Sequence, residues 1–375
     1  MKKIFSSILA LCMVLFMFGC NQSTPADTAT SPTTEPAASV EPVTLDVPFL
    51  AVGLPVEETR TTADDGTLIF ALSSPYMTLT IDGQVTADLI IHDFMDKINA
   101  AKVSAESVEA DAKTAFAYSG TANWNPFLFS IECAPTRIDT NTLSIYGVIS
   151  SYTGGSHPLY TCFSTNYNLI TGDPLTLGSI LTHEDSISDL CDLLIAKLEM
   201  QKDEKQLREG YENDIKERFA MDVSFDDAWY FSDTGLCFYF PHYEIAPYSS
   251  GIITAEIPYS ELTGIIDDAF FPPEYSIENG NAKIVPYSED HASSYRQTSE
   301  LILDREGKKY FIEADSSILN IRIVRLDEDV ETAEHYCAYC LNPGNAIMVQ
   351  IPDAGAGTYC VAYEQNGNTV TVPIK

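Results

Sequence analysis

The sequence predicts an α+β protein, with a largely antiparallel sheet and packed helices followed by a small C-terminal β-sandwich. Strand-like segments rich in β-branched and aromatic residues occupy residues 67–81 and 127–170. Helical patterns interrupt the strands at residues 85–116 and again from residue 187. Beyond residue 282 the chain is mainly strand-like. Runs of strands and runs of helices, without regular alternation, indicate α+β rather than a parallel α/β fold.

The first 19 residues predict a lipoprotein signal peptide. Lys2 and Lys3 precede an uncharged apolar run that is short for a membrane span and typical of a secretory signal. Gly19 and Cys20 follow, so Cys20 is the expected lipidated first residue; the alternative is an ordinary signal peptide with an incidental cysteine. Two acyl chains on Cys20 would anchor the protein stably to the outer face of the cell membrane.

Composition predicts an acidic extracytoplasmic protein on a tether. Residues 20–47 are rich in Thr, Ser, Pro and Ala and cannot bury enough apolar surface to fold. The chain has 21 basic and 54 acidic residues, a net charge of −33. Such a surface repels nucleic acid, which we exclude as a partner, and attracts cationic proteins.

After the tether, the predicted helices and strands divide into three domains. Residues 48–150 form an N-terminal α+β subdomain, with Ile90, Phe94 and Ile98 on one face of its helix. Residues 151–272 form a second α+β domain.

Within that second domain, residues 159–170 alternate as a strand, and an apolar stripe marks a helix at residues 187–198. The charged residues 203–219 indicate one solvated helix. Aromatic strands follow. Residues 282–375 form the β-sandwich domain, in which Asn366-Gly367 is a strong hairpin signal.

The seven cysteines after Cys20 do not have the spacing of a disulfide framework. His335, Cys337, Cys340 and Cys360 could supply a nitrogen and three sulfurs to zinc. However, Cys337 and Cys340 fall on a predicted strand, where residues i and i+3 point to opposite faces. Unligated thiols are the preferred interpretation; one disulfide to Cys360 and a metal site stay open. We expect no cofactor.

Motifs for catalysis are few, and we expect no enzyme activity. Residues 223–229 loosely resemble the metal-binding start of polysaccharide deacetylases, but the downstream glycine and a His-x-x-x-His pair are missing. The sequence has no Gly-x-Ser-x-Gly elbow, phosphate loop or dinucleotide fingerprint. An unrecognised hydrolase site is the remaining alternative.

Two tyrosine-rich loops are the candidate binding residues. In the first, Gly154-Gly155 is a hairpin or bulge signal between two strands, and Pro158 holds His157 extended. Tyr152 precedes the glycines. An architectural role for this loop is favoured over a binding rim.

The second loop, residues 238–252, contains prolines and a glycine that make it irregular. Its Tyr243, Glu244, Pro247 and Tyr248 would either lock the loop or touch a ligand.

Three ordered segments resemble one bacterial extracellular family: YTGGSH at residues 152–157, LITGDPLTL at 169–177 and YEIAPYSSG at 243–251. This domain of unknown function is shared with the lysozyme-sensing anti-sigma factor and the N-terminal part of a peptidoglycan N-acetylglucosamine deacetylase. The likeness covers residues 56–270. It implies a sensor-like binding domain, with lysozyme as the expected partner. Anti-sigma activity is not expected, because we find no sigma-binding segment or transmembrane helix.

The resulting hypothesis is a non-enzymatic envelope lipoprotein that captures lysozyme or another basic protein. The alternative is a wall-glycan or other carbohydrate-binding module, with Tyr152, Tyr160, Tyr243 and Tyr248 as stacking surfaces. A structural or assembly role for the β tail is a further alternative.

Overall fold

The structure is a computed structural model, and it describes residues 44–121, 124–183, 185–220, 228–275, 280–327, 330–353 and 357–374. The expected signal peptide, Cys20 and most of the tether lie outside these residues. In the described part of the chain, no helix is long and apolar enough to cross a membrane. The fold is α+β, as predicted.

The strands of the described residues are β1 (Ala51–Gly53), β2 (Val56–Thr62), β3 (Leu68–Pro75), β4 (Thr78–Thr80), β5 (Phe127–Ile138), β6 (Thr142–Tyr152), β7 (Leu159–Asn168), β8 (Trp229–Phe231), β9 (Gly235–Phe240), β10 (Ile253–Pro258), β11 (Ala282–Pro286), β12 (Gln297–Ile302), β13 (Lys308–Ala314), β14 (Ile318–Asp327), β15 (Val330–Leu341), β16 (Asn345–Ile351), β17 (Thr358–Gln365) and β18 (Asn368–Pro373). The α-helices are α1 (Gln84–Ser119), α2 (Leu177–Ile180), α3 (Ser186–Glu199), α4 (Lys202–Lys205), α5 (Tyr211–Ala220) and α6 (Glu289–Ala292). Short 3-10 helices follow β9 and β10.

A five-stranded sheet forms the centre of the molecule, in the order β2-β3-β5-β6-β7. Its pairs are antiparallel except for β3 with β5, which is parallel. Helix α1 covers one face of this sheet. Its residues Ile90, Phe94 and Ile98 are fully buried in the core between the helix and the sheet, as their spacing predicts. Full burial of each such side chain contributes about 1.5–3 kcal/mol. The sheet runs across the predicted limit between residues 150 and 151; the domain limits stay predictions.

The other face of this sheet supports a three-stranded antiparallel sheet, β10-β9-β8. Polar residues of the alternating strand β7 make the connection, since Ser164 Oγ and Asn166 Nδ2 donate to Trp229 O at 2.6 and 3.1 Å. Ser144 Oγ accepts from Phe231 N at 3.1 Å. The alternation in β7 therefore separates an apolar face from a polar face that holds β8 through its backbone.

Helix α3 packs on β10 through Leu190, Leu194 and Leu198, all fully buried. The prediction of one solvated helix over residues 203–219 is wrong. The chain instead forms α4 and α5, separated by Gln206 and Gly210 with φ of 54° and 82°. Leu207, Tyr211 and Ile215 are buried beside and after this break, so the segment is not solvated throughout as predicted.

The C-terminal strands form two sheets that share one apolar core. One has the order β18-β17-β14-β15-β1-β4 and the other β11-β13-β16-β12. Ile321, Val349 and Val361, from both sheets, are fully buried in this core. Asn366 and Gly367 join β17 to β18 with φ of 53° and 69°, the positive values that the hairpin signal requires.

Candidate functional site

The two tyrosine-rich loops meet in space. The β6–β7 hairpin places His157 with its ring centroid 4.1 Å from that of Tyr248. Tyr248 also lies 4.4 Å from His242 and 5.6 Å from Tyr243, ring to ring. Its hydroxyl donates to Pro158 O at 3.2 Å, which ties the second loop to the hairpin. Tyr248 is therefore the centre of the contact between the loops.

Tyr160 at the start of β7 extends the cluster, because its ring stacks on His242 at 5.1 Å with an interplanar angle of 22°. The rings thus follow one another in the order Tyr160, His242, Tyr248, His157, with Tyr243 beside Tyr248. We call these five residues the aromatic rim. Tyr243 is 65% exposed, so the rim presents aromatic surface to solvent.

The hairpin glycines have a conformational role. Gly154 has a φ of 83°, which side chains with a Cβ rarely adopt, and it turns the chain beside Phe127. Gly155 is exposed in the same turn. Tyr152 ends β6 opposite Leu128. It takes no part in the ring contacts between the described residues.

The second loop is held in place by buried residues and by two arginines. Ile245 and Ala246 are buried, and Arg208 Nε donates to Glu244 O at 2.9 Å. The Glu244 carboxylate forms an ion pair with Arg218 of α5. Glu244, predicted as a binding residue, thus holds the loop. Its neighbour Tyr243 adopts a left-handed φ of 69° that turns the ring outward.

Pro247 precedes the 3-10 turn Tyr248–Ser250 with φ −67°, the value that its ring imposes. The rigid residue presets the backbone just before the central ring. The loop therefore holds Tyr248 at a low entropic cost.

His242 is the rim residue that sequence reasoning did not single out. Its Nδ1 is buried and has no hydrogen-bond partner in the described part of the chain. Burial lowers the pKa of His242, and the nearby His157 lowers it further. The neutral form of the His242 imidazole is therefore favoured in its stack between Tyr160 and Tyr248. The only sequence signal is its place in the loop, directly before Tyr243.

We expect the His242 pKa to lie below 6.5, its ordinary value, and His157→Asn to raise it toward that value. Burial would still hold it below 6.5. Because the folded state binds fewer protons than the unfolded state, stability is full above about pH 6.5 and falls as the pH drops through the folded pKa. NMR titration of the imidazole and urea midpoints at several pH values measure both effects. A His242 pKa at or above 6.5 in the native chain contradicts the packing described here.

His335, Cys337 and Cys340, the candidate zinc ligands, lie on β15, and Cys360 lies on β17. Burial raises the pKa of Cys337 to about 11 and of Cys340 to about 12. Cys360 lies in a separate small cluster with Val324 and Ala362. The seven cysteines after Cys20 all lie in the described part of the chain and form no disulfide there, so the alternative of a disulfide to Cys360 is wrong.

His335 Nδ1 lies 2.6 Å from Cys133 O rather than beside these thiols. Among the described residues no three His, Cys, Asp or Glu side chains group as metal ligands would. The deacetylase-like residues fall mostly at 221–227, outside the described ranges.

Residues 179–260 match a family described as "Protein of unknown function (DUF3298)". A crystal structure of a DUF3298 family member from Bacteroides fragilis is similar, with 18% identity, a TM-score of 0.40 and coverage of 59% of this chain and 94% of that one. A DUF3298 family protein from Pseudomonas aeruginosa PAO1 has 15% identity, a TM-score of 0.37 and coverage of 61% and 98%. No curated protein matches the chain.

The matched range, residues 179–260, is shorter than the range 56–270 that the resemblance covers. They include the second tyrosine-rich loop but not the hairpin at residues 151–160. The likeness to the anti-sigma factor and to the deacetylase stays a prediction. The family match establishes that a DUF3298 domain, whose function is unknown, is present in this chain at residues 179–260.

Proposed function

We propose that this chain is a non-enzymatic binding protein of the cell envelope, anchored to the outer face of the membrane through Cys20, and that it captures its ligand at the aromatic rim. The observation that carries the proposal is the meeting of the two loops in one row of rings around Tyr248. Aromatic side chains with a solvent-exposed face are common anchors in protein interfaces.

The rim is built to hold its shape before a ligand arrives. Glu244 is fixed by Arg218, and Arg208 holds the Glu244 carbonyl oxygen. Tyr248 is tied to Pro158 across the hairpin. Side chains that are already ordered lose little entropy on binding, which favours affinity.

A cationic protein is the leading ligand, and the resemblance makes lysozyme the first candidate. The net charge of −33 attracts basic proteins from a distance and accelerates their encounter. The aromatic rim would then supply the short-range contacts. Charge alone would bind any basic protein, so selectivity must come from the rim.

The test is calorimetric titration of the full-length chain in detergent with lysozyme, at about 0.15 M salt, where charges beyond roughly 8 Å are screened. An unrelated protein of similar basicity is the control. Saturable binding of lysozyme but not of the control supports the proposal. Equal binding of both, or binding of neither, contradicts it.

A wall glycan is the second candidate, favoured by the row of rings with Tyr243 exposed at its side. Sugar rings stack on aromatic faces without needing charge. Titration with peptidoglycan fragments at low and high salt separates the two candidates. Glycan affinity should be nearly independent of salt, whereas capture of a basic protein weakens as ionic strength rises.

For the C-terminal region, we propose that its two sheets form a β-sandwich. The shared core of Ile321, Val349 and Val361 supports this arrangement.

A further inference from the structure

A cavity of about 370 Å³ lies away from the aromatic rim, where four parts of the chain converge. Its lining comes from the end of β5, the β8–β9 turn, residues 272–275 and the tail strands β14, β15 and β17. This volume is within the usual range for small-ligand sites, which bind at such junctions between sheets. The central sheet, the three-stranded sheet and the C-terminal sheet that contains β14, β15 and β17 thus share a site that none of them forms alone.

The floor of the cavity is a buried ion pair. Arg137 and Asp139 are 2% and 3% exposed, and Arg137 Nε donates to Asp139 Oδ2 at 2.5 Å. Arg137 Nη1 donates to Tyr259 Oη and to Phe270 O at 2.5 and 2.7 Å. The floor is therefore electrically balanced, and its guanidinium is already engaged by protein acceptors.

Tyr339 is a buried residue of the lining whose hydroxyl is unsatisfied. It is 4% exposed, and its hydroxyl has no hydrogen-bond partner in the part of the chain that the structure describes. Its phenol oxygen interacts electrostatically with Asp139, Arg137 and Tyr275, all of which line the same cavity. A buried hydroxyl without a partner is destabilising, and a ligand in the cavity that hydrogen-bonds to it would remove that cost.

The mouth of the cavity has excess negative charge. Glu274 and Glu364 are exposed there, and neither forms an ion pair with a described basic residue. Glu364 Oε2 accepts from Asn320 Nδ2 at 2.8 Å, and the Glu364 charge also acts on Arg322. Asp233, by contrast, is paired with Arg322. Tyr275, 44% exposed, adds an aromatic ring to the lining that contains these two carboxylates.

We propose that this cavity binds a small organic cation that carries a primary ammonium group. The carboxylates of Glu274 and Glu364 would hold the ammonium, and the Tyr275 ring would face it in a cation–π contact. Tyr339 would hydrogen-bond the ligand deeper in the cavity. The Tyr275 and Tyr339 rings in the lining favour an organic cation, because a metal ion is bound by several oxygen, nitrogen or sulfur ligands, and no three His, Cys, Asp or Glu side chains of the described residues group in that way.

The experiment is calorimetric titration of the full-length chain with 1,5-diaminopentane, with 1,5-pentanediol as the uncharged probe of the same length. Saturable binding of the diamine but not of the diol is expected. The double variant Glu274→Gln/Glu364→Gln should weaken diamine binding at least about tenfold, because both countercharges are lost. Tyr339→Phe should weaken it about fivefold.

Glu306→Gln is the matched control, because Glu306 is an exposed glutamate outside the cavity. The affinity of this variant for the diamine should be unchanged. Tyr248→Ala should also leave diamine binding unchanged, which separates this cavity from the aromatic rim. The proposal is overturned by equal binding of diol and diamine, by the absence of saturable diamine binding, or by full affinity in the double glutamine variant. Circular dichroism of each variant confirms that the fold is retained.

Discussion

Replacing Asp139 by alanine is expected to lower the free energy of unfolding by about 3–5 kcal/mol, the usual cost of removing one partner from a buried ion pair. The side chains of Arg137 and Asp139 are almost completely buried, at 2% and 3% exposure. Without the carboxylate, the guanidinium stays between the rings of Phe231 and Tyr259 with its charge uncompensated. An uncompensated charge in so apolar a place is the source of the large effect.

The same carboxylate also shapes the turn between β5 and β6. Asp139 Oδ1 accepts from the backbone N–H groups of Asn141 and Thr142 at 2.8 and 2.9 Å. Asp139→Asn keeps the Oδ1 acceptor for this turn, but an amide NH₂ group replaces the Oδ2 acceptor of Arg137, so the ion pair is lost while the turn is retained. Its loss of stability should therefore fall between wild type and Asp139→Ala, and the difference between the variants measures the contribution of the turn.

Urea unfolding followed by tryptophan fluorescence measures these changes, since Trp229 is fully buried and packs on Phe231, over whose ring Arg137 lies. Glu57→Gln is the matched control because it breaks the exposed pair with Arg305, whose side chains are 57% and 76% exposed. That variant should change stability by less than about 1 kcal/mol. If Asp139→Ala lowers the free energy of unfolding by less than about 1 kcal/mol, other groups compensate the charge of Arg137.

Local patterns predicted the elements that have their own periodicity or turn chemistry. The i, i+4, i+8 spacing of Ile90, Phe94 and Ile98 gave helix α1, and Asn366-Gly367 gave the last hairpin. In both cases the side chains or the turn residues determine the conformation within a few positions. Neighbouring residues therefore carry enough information for the prediction.

Long-range pairing is the part that the sequence pattern could not supply. Strands β1 and β4 have three residues each, yet β1 pairs with β15, almost 300 residues later in the chain. Short strands contain too few residues to show a period, and no local signal names a distant partner. The break between α4 and α5 was missed for a related reason, because the burial of Leu207 and Tyr211 depends on tertiary packing.

The candidate site was predicted in composition but not in geometry. The sequence indicated both loops, and the structure brings His157, Tyr243 and Tyr248 together. The sequence alone could not show that His242 lies within the stack or that Arg218 forms an ion pair with Glu244. Contacts between separate loops depend on how the central sheet and the three-stranded sheet pack, which residue types alone do not determine.

Replacing Tyr248 by alanine is expected to weaken lysozyme binding by at least about tenfold, if the rim binds it as proposed, because aromatic residues at the centre of an interface carry much of its energy. The substitution removes ring contacts to His157, His242 and Tyr243 together. It also removes the hydrogen bond to Pro158 O that ties the loops. Calorimetry measures the change in affinity.

The same variant has a readout that does not need a ligand. Burial is the largest cause of the lowered pKa of His242, and Tyr248 covers one face of its imidazole. Tyr248→Ala should therefore raise the His242 pKa toward 6.5, as NMR titration would show. An unchanged pKa would mean that other residues exclude water from His242 and that Tyr248 is not the centre of the packing.

Two variants set the scale for this result. Tyr248→Phe keeps the ring and loses only the hydroxyl bond to Pro158, so its affinity should fall less than about threefold. Tyr118→Ala removes a tyrosine that is 89% exposed at the end of α1, and neither affinity nor the His242 pKa should change. Loss of binding in Tyr248→Ala with binding retained in both others assigns the effect to the central ring. Equal affinity in all three variants would move the ligand away from the aromatic rim, because a ring at the centre of the true contact could not be removed without cost.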